Sequence, residues 1–238
     1  MEKIIGINPV IEALQNKESN IEKIEIYKGL KEEKVAKIKR MASERNIKIF
    51  YNNKKVDNSQ GVVAIIGDYD YYIDLGEFLE KVAPLKKSIV LILDEVQDPR
   101  NFGAIIRSAE VFGVHGIIIP ERNSVRINET VVKTSAGAIE YLNITKVTNI
   151  SDTIIKLKKL DYWIYGADGD GSNDYSKEDF PQKVALILGS EGKGMRKKVK
   201  ENCDILIKIP MYGKINSLNV SVAGGILLGK IAATQNLV

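Results

Sequence analysis

The chain has 238 residues, enough for one large domain or two modest ones, and its 44% hydrophobic and 28% charged residues are typical of a folded soluble protein. No apolar run approaches the roughly 20 residues of a membrane span, and one cysteine (Cys203) and one histidine (His115) exclude an internal disulfide and a zinc site built from several such ligands. We therefore expect a cytoplasmic protein without a signal peptide, a membrane span or a metal.

The net charge of +4 is spread unevenly along the chain. Residues 1–60 hold 13 Lys/Arg and 9 Asp/Glu, residues 61–83 hold 1 and 5, and residues 84–238 hold 21 and 17. Two basic blocks separated by an acidic segment predict two domains, 1–70 and 85–238, joined by a linker at 71–84. A basic excess of this size permits nucleic-acid binding without requiring it.

The first block predicts a small α/β unit. Asn8 and Pro9 are typical of a helix N-cap and of the first helical residue after it. Residues 21–27 alternate as a half-buried strand does, and residues 31–45 fit an amphipathic helix. Further elements are predicted as strands at 47–51 and 61–67, an acidic linker segment at 68–74 and a short helix at 75–82.

From residue 88 onward, strands and helices alternate regularly. The predicted strands are residues 89–93, 116–119, 162–167, 184–188 and 205–209, and a long last helix is predicted from about 218 to 235. Continuous apolar strands with helices between them indicate a parallel sheet covered by helices on both faces.

Residues 101–109 (NFGAIIRSA) form the first segment that packing alone does not explain. Asn101 can cap the helix, and Arg107 lies off the apolar stripe, one turn beyond Gly103. A glycine at that position would leave space for a substrate beside the guanidinium. The alternative is a solvated surface arginine and an ordinary helix glycine.

The second segment is residues 186–195 (LILGSEGKGM), where a strand ends in a glycine-rich turn. Such turns let a backbone approach a ligand closely. Lys193 is followed by Gly194 and not by Ser or Thr, which excludes a Walker A loop, and the glycine spacing G-x-x-G-x-G is not the Rossmann fingerprint. The alternative is a plain strand-to-helix turn.

The third segment, residues 209–229, starts a helix rich in small residues. Ser217 fits the N-cap position, whereas Asn219 in the first turn is not explained by capping. Ala223, Gly224 and Gly225 suit a helix that packs closely against another backbone.

Together and in this order, the three segments resemble the SpoU (TrmH) family of RNA 2′-O-ribose methyltransferases, within the SPOUT superfamily. The first is similar to the motif N-x-G-x-x-x-R-x-A, the second to G-x-E-G-x-G after a strand, and the third to I-P-M-x-G-x-x-x-S-L-N-V-S-V-A. GINPVIEAL near the start and SQGVVA at 59–64 are similar to the N-terminal domain of the 23S rRNA guanosine-2′-O-methyltransferase subgroup.

The resemblance implies a fold that pattern reasoning would reject, because knots are nearly absent among proteins. It implies a C-terminal α/β knot, a deep trefoil knot in a parallel sheet with helices on both faces. A small α/β RNA-binding domain, of a fold shared with ribosomal proteins, would precede it.

The resemblance also implies S-adenosylmethionine as methyl donor, with no metal. Residues implied near this cofactor are Gly189, Ile209 and Leu218, with Ser135, Ala136 and Gly137 as further neighbours. Catalytic residues implied are Arg107, Asn101, Glu191, Ser217 and Asn219. We assign Arg107 to binding phosphate and orienting the ribose hydroxyl, because a guanidinium keeps its proton, and the base stays open between Arg107 and water.

The expected partners are RNA and a second copy of the chain, with no membrane. The resemblance implies active sites completed across a dimer interface by the arginine of the first motif, and Gly224, Gly225, Leu227 and Leu228 are expected to supply a closely packed surface. His115 and Cys203 are expected to be structural.

The expected activity is 2′-O-methylation of a ribose in structured RNA, with a guanosine of 23S rRNA as the favoured target. The alternatives are a tRNA ribose methyltransferase and a non-catalytic RNA-binding protein with a decayed knot domain. A small-molecule methyltransferase leaves the basic N-terminal block unexplained.

Overall fold

The structure is a computed structural model that describes residues 2–15, 19–54, 59–67 and 71–235. The chain divides into two compact units, Met1–Asp70 (unit 1) and Tyr71–Val238 (unit 2). Among the described helices, none is both long and apolar enough to cross a membrane.

Unit 1 is a four-stranded sheet with two helices packed against it. Its elements are β1 (Glu2–Ile5), α1 (Ile7–Gln15), β2 (Ile21–Tyr27), α2 (Glu32–Glu44), β3 (Lys48–Asn52) and β4 (Val62–Ile66). The strand order is β1-β4-β2-β3, in which β4 is antiparallel to both neighbours and β2 is parallel to β3. The core joins Val10 of α1 and Ile38 of α2 to Ile24 of β2, all fully buried.

The first helix begins earlier than the sequence predicts. Asn8 is not its N-cap, because α1 starts at Ile7, directly after a turn in which Gly6 has a φ of +108°. The N–H of Ile7 is bonded to the side chain of Gln60 at 3.3 Å. Pro9 is tolerated inside the first turn because the first four helical N–H groups have no intrahelical partner.

Unit 2 is built on an eight-stranded sheet in which every neighbouring pair is parallel. The strand order is β10-β12-β9-β11-β6-β7-β8-β5. Its elements are β5 (Tyr72–Ile73), α3 (Leu75–Val82), β6 (Ser88–Asp94), α4 (Pro99–Val111), β7 (Gly116–Pro120), α5 (Glu129–Thr134), β8 (Asn143–Val147), α6 (Ile150–Lys158), β9 (Trp163–Ala167), β10 (Asn173–Asp174), β11 (Lys183–Gly189), α7 (Lys197–Glu201), β12 (Ile205–Lys208) and α8 (Val220–Thr234).

Both faces of this sheet are covered, which confirms the predicted architecture. Val90 and Ile92 of β6 pack in one core with residues of α3, α6 and α7. On the other side α4 packs against α8, and an ideal Cβ at Gly224 of α8 would lie 2.9 Å from Leu188 of β11. The central strands are apolar on both sides because both sides face helices.

The segment expected to be a linker carries structure of unit 2. Within residues 71–84, β5 pairs with β8, and Phe78 and Val82 of α3 are buried in the core. Residues 68–70 of the predicted acidic linker lie outside the described residues. The sequence analysis also missed β1, β8 and β10; only Ile144 and Val147 of the five β8 residues are apolar, and β1 and β10 are short.

Two expectations about small and apolar residues are wrong. Leu227 and Leu228 are 1% and 0% exposed, so they belong to the core of unit 2 and do not form an outer surface. Gly103 does not open space for a substrate, because an ideal Cβ there would lie 2.6 Å from Cβ of Thr134 and 3.0 Å from the carbonyl oxygen of Val131. The missing side chain instead lets α4 pack against α5.

We expect Gly103→Ala to destabilise unit 2 by about 1–3 kcal/mol, because the added methyl group must displace backbone of α5. Gly169→Ala is the matched control, since a Cβ there meets no atom within 4 Å. Urea unfolding of both variants measures the difference. Equal stability of the two variants would contradict the packing role of Gly103.

Candidate active site

The three segments singled out in the sequence follow strands that end at one edge of the parallel sheet. Segment 101–109 lies in α4, the helix after β6; segment 186–195 contains the end of β11 and the turn after it; and segment 209–229 begins directly after β12. The carboxyl ends of parallel strands are where open α/β sheets bind their ligands. The fold therefore gathers these segments at the edge where a site is expected.

Asp98, and not Asn101, caps helix α4. The Asp98 carboxylate accepts hydrogen bonds from the N–H groups of Arg100 at 2.8 Å and Asn101 at 2.9 Å, and Pro99 occupies the first helical position. The side chain of Asn101 is consequently left to interact outside the helix.

The glycine-rich turn after β11 doubles back over its own start. The backbone groups of Ser190 and Gly194 bond to each other in both directions, at 3.1 and 2.9 Å. A Cβ on Gly189 would lie 2.3 Å from backbone atoms of Gly194 and Met195, so only glycine fits. Gly192 and Gly194 have φ angles of +82° and +68°, which favour glycine as well.

The carboxylate of Glu191, at the tip of this turn, joins the three segments. Its Oε1 accepts hydrogen bonds from Nδ2 of Asn101 at 3.0 Å, from Nδ2 of Asn219 at 2.7 Å and from the N–H of Val220 at 3.3 Å. Asn219 also donates to Oδ1 of Asn101 at 3.0 Å. The negative charge therefore lies at the N-terminus of α8, where the helix dipole favours it.

Asn219 has two roles in this cluster. Contrary to the sequence prediction, it is the N-cap of α8: its Oδ1 accepts from the N–H of Ser221 at 2.9 Å. Its Nδ2 is the atom that reaches Glu191 and Asn101. An asparagine can do both because its amide carries an acceptor oxygen and two N–H donors, whereas an ionised aspartate has no donor and a serine hydroxyl has only one.

Sequence reasoning missed an ion pair between Asp94 and Arg196, which lies directly after the glycine-rich turn. Asp94, the last residue of β6, is fully buried and accepts from the N–H and Nε of Arg196, both at 2.8 Å, and lies 2.7 Å from its Nη2. Asp94 is also the register partner of Gly189. The pair fixes the chain directly after the glycine-rich turn to the neighbouring strand.

A cleft of about 290 Å³ opens beside this cluster. Its lining includes three carboxylates and one lysine; the lining residues are Glu95, Val96, Gln97, Asp98, Asn101, Ser190, Glu191, Lys193 and Val220. Among the described residues, no group of three or more His, Cys, Asp or Glu side chains could hold a metal ion. The cleft thus offers hydrogen-bonding groups and a net negative wall.

Comparison with known proteins agrees with this arrangement. Residues 88–229 match the SpoU rRNA Methylase family, and residues 3–72 match a family described as RNA 2′-O ribose methyltransferase substrate binding. YacO of Bacillus subtilis (strain 168), assigned to the TrmH family of tRNA/rRNA methyltransferases, is 40% identical, with 98% of this chain and 96% of YacO covered. The chain belongs to the SpoU (TrmH) family of RNA methyltransferases.

Solved structures of the SpoU family share this fold. An AdoMet-bound rRNA methyltransferase from Sinorhizobium meliloti matches with a TM-score of 0.63 and 25% identity, covering 97% of this chain and 86% of that one. The TrmH/SpoU tRNA modifying enzyme of A. aeolicus matches with a TM-score of 0.58 and 26% identity, covering 68% of this chain and 85% of that one.

Of the SpoU motif residues, Arg107 stands apart from the Glu191 cluster. It follows Asn101 by six residues in α4, which places it about 9 Å further along the helix and about 120° around it. Arg107 is exposed, and its side chain makes no hydrogen bond or ion pair with the other described residues. Within one chain, the structure does not bring the arginine to the cluster.

The remaining predicted site residues lie in two places. Ile209, Ser217 and Leu218 belong to the segment 209–219, which has no regular secondary structure; Ser217 and Leu218 are exposed there. Ser135 is buried at the end of α5 and its hydroxyl donates to the carbonyl of Val132 at 2.9 Å. The left-handed residues Ala136 and Gly137 (φ of +51° and +88°) follow it and are exposed.

His115 and Cys203 have the structural environments that the sequence analysis expects. Nδ1 of His115 accepts from the N–H of Ile89 at 3.3 Å, and burial lowers the pKa of this imidazole. Burial, with a smaller contribution from Asp204, raises the pKa of Cys203 to about 12. A thiol that stays protonated at neutral pH is a poor nucleophile.

We expect Arg196→Ala to destabilise unit 2 by about 3 kcal/mol, because it leaves the buried Asp94 charge without its partner. The double variant Asp94→Asn/Arg196→Ala removes that charge and should be more stable than Arg196→Ala alone. Urea unfolding of the single and double variants tests this order. A double variant less stable than the single one would show that the pair does not hold the turn.

Proposed function

We propose that the protein transfers the methyl group of S-adenosylmethionine to the 2′-hydroxyl of a ribose in structured RNA. The observation that carries the proposal is the Asn101–Glu191–Asn219 cluster, because it joins the three segments that the family uses in one place. The cleft beside the cluster has room for a nucleoside-sized group and donors and acceptors to orient it.

The residues around the glycine-rich turn fit S-adenosylmethionine. A Cβ built on Gly192 or Gly194 would meet no atom within 4 Å, so the backbone at the tip of the turn is open to a ligand. Ile209 and Leu218 would hold the cofactor through apolar contacts and backbone groups, with Ser135, Ala136 and Gly137 as further neighbours. When bound, S-adenosylmethionine supplies a methyl group activated by the sulfonium.

The chain's own work is to place the ribose oxygen and to remove its proton. Correct placement is worth effective molarities of about 10⁵–10⁸ M, whereas a positioned base gives about 10²–10⁴-fold. Asn101, Glu191, Ser217 and Asn219 hold the geometry, and Arg107 binds an RNA phosphate and orients the hydroxyl. The hydroxyl proton leaves to water, or to Arg107 once an RNA phosphate has taken a proton from the guanidinium.

The site is completed in a homodimer. Asn101 and Arg107 face different directions on α4, which supports a site in which Arg107 of a second chain acts at the cluster. Exposed apolar residues accompany Arg107: Val111, one turn further along α4, is 64% exposed, and Val222 of the neighbouring α8 is 49% exposed. The proposal includes the family's trefoil knot, in which the segment 209–219 passes through the loops before it.

A guanosine of 23S rRNA is the proposed target. The likeness to the Sinorhizobium meliloti rRNA methyltransferase extends over 97% of this chain, whereas the likeness to the A. aeolicus tRNA modifying enzyme extends over 68%. The match of residues 3–72 to a substrate-binding family also supports a large structured RNA, which unit 1 would help to capture.

Unit 1 supplies diffuse attraction more than specific contacts. Of its two arginines, Arg45 is engaged inside the unit, where Nη1 donates to the carbonyls of Ala13 and Leu14 at 3.2 and 3.1 Å. Most lysines of the unit are exposed, which favours phosphate contacts that depend on salt and carry little sequence information.

We expect Arg107→Ala to abolish turnover and to leave affinity for S-adenosylmethionine within a few-fold. If the arginine acts across the interface, mixed dimers of Arg107→Ala and Glu191→Ala chains regain about half of the wild-type activity, because one of their two sites has neither defect. Differently tagged chains, co-expressed and purified on both tags, provide the mixed dimer.

The matched control is a preparation in which both tags carry the Arg107→Ala chain, which should stay inactive. An Arg107→Ala protein with full activity would contradict the role of the arginine. An inactive mixed dimer, or an active monomer by light scattering at micromolar concentration, would contradict the shared site.

A chain that begins at Tyr71 should still dimerise and bind S-adenosylmethionine, yet lose most methylation of rRNA fragments. The cut lies before β5, because that strand belongs to unit 2. Methylation at moderate salt and light scattering measure the two properties. Equal methylation by the shortened and full-length chains would contradict the capture role of unit 1.

A further inference from the structure

Unit 2 presents arginines without carboxylate partners. It contains five of the seven arginines of the chain, namely Arg100, Arg107, Arg122, Arg126 and Arg196. Arg196 is paired with Asp94, whereas the other four are exposed and their side chains make no ion pair or hydrogen bond in the part of the chain that the structure describes. Arg107 has a role in the proposed active site, so three exposed arginines remain without a role: Arg100, Arg122 and Arg126.

Two of these arginines lie in the loop after β7, residues 121–128, which is attached to the wall of the cleft. Nδ2 of Asn123 donates to Glu95 at 3.3 Å, the side chain of Gln97 donates to the carbonyl of Asn123 at 3.3 Å, and the N–H of Val125 donates to the carbonyl of Val96 at 3.0 Å. Glu95, Val96 and Gln97 all line the cleft.

Two buried side chains of the loop, Val125 and Ile127, anchor it to unit 2 as well. Val125 and Ile127 are 7% and 5% exposed, and the N–H of Ile127 is bonded to the hydroxyl of Tyr72 at 3.0 Å. Arg122 and Arg126 therefore extend into solvent from a backbone that is anchored on both sides of each residue. An anchored loop presents its guanidinium groups with little loss of backbone entropy on binding.

The charge of the cleft indicates what these arginines bind. Glu95, Asp98 and Glu191 line its wall, so phosphates of an entering RNA strand are repelled from the cleft itself. The backbone on either side of the target nucleotide has to be held by cations at the rim. Arginine suits this position because its planar group binds phosphate oxygens in a bidentate manner.

We propose that Arg122 and Arg126 bind RNA phosphates next to the target nucleotide and so hold the RNA strand at the rim of the cleft. The inference rests on the proposed function, since it takes RNA as the substrate. Both residues act on RNA affinity and not on the chemical step, because neither belongs to the Glu191 cluster.

The test compares full-length wild type, Arg122→Gln/Arg126→Gln and the control Lys156→Gln/Lys159→Gln. The control removes the same two charges from exposed positions at the end of α6, near the amino-terminal edge of the sheet. An unmodified 23S rRNA transcript serves as the RNA probe. RNA binding is measured over a range of salt concentrations, together with methylation kinetics and equilibrium binding of S-adenosylmethionine.

The arginine variant should have a KM for RNA about tenfold or more above that of wild type. A plot of log K for RNA binding against log salt should be less steep, its negative slope smaller in magnitude by roughly 1.4–1.8, the value for two phosphate contacts. Its kcat at saturating RNA and its affinity for S-adenosylmethionine should stay within twofold of wild type. The control should match wild type in all of these quantities.

A salt slope and a KM equal to those of the control would overturn the inference. Should the arginine variant unfold at a lower temperature than wild type, Arg122→Lys/Arg126→Lys keeps the charges, and a salt slope near that of wild type is then expected. If wild type binds RNA but methylates none, the proposed function fails, while the salt slopes still decide the role of the two arginines.

Discussion

The structure depends on one carboxylate, that of Glu191, which is held by three donors from two other segments. The glycine-rich turn, the start of α4 and the start of α8 are far apart in sequence, and this oxygen is where they meet. A carboxylate surrounded by two amides and a helix N-terminus is well satisfied, so it orients its neighbours without being free to take up a substrate proton. Its contribution is geometric.

The turn that carries Glu191 is itself constrained, because its backbone packs too closely at Gly189 to admit a side chain there. Gly189 lies against the returning backbone of Gly194 and Met195, and directly afterwards Arg196 is bound to the buried Asp94. The end of β6 and the residues after it thus position two parts of the cluster. Asp94 fixes the turn that carries Glu191, and Asp98 caps the helix that bears Asn101. Arg107, on another side of that helix, is exposed and does not join the cluster within one chain.

The parallel architecture and the three site segments could be predicted from the sequence, because continuous apolar strands and the motif spacings are local features. The capping roles were assigned to the wrong residues: Asp98 caps α4 in place of Asn101, and Asn219 caps α8 in place of Ser217. A shift of a few residues decides a cap, and several residues near each helix start are chemically able to provide it. The Asp94–Arg196 pair joins residues 102 positions apart, so no local pattern indicates it. Likewise the roles of Gly103 and Leu228 depend on neighbouring helices that periodicity does not identify.

The most direct test is a map of ribose 2′-O-methylation in rRNA and tRNA from a strain that lacks this gene. The gene is then supplied again as wild type or as Glu191→Ala. The account predicts that one 2′-O-methylguanosine of 23S rRNA is absent from the deletion strain, returns with the wild-type gene and does not return with the variant. Ribose methylation that is unchanged in the deletion strain, or restored equally by Glu191→Ala, would contradict it.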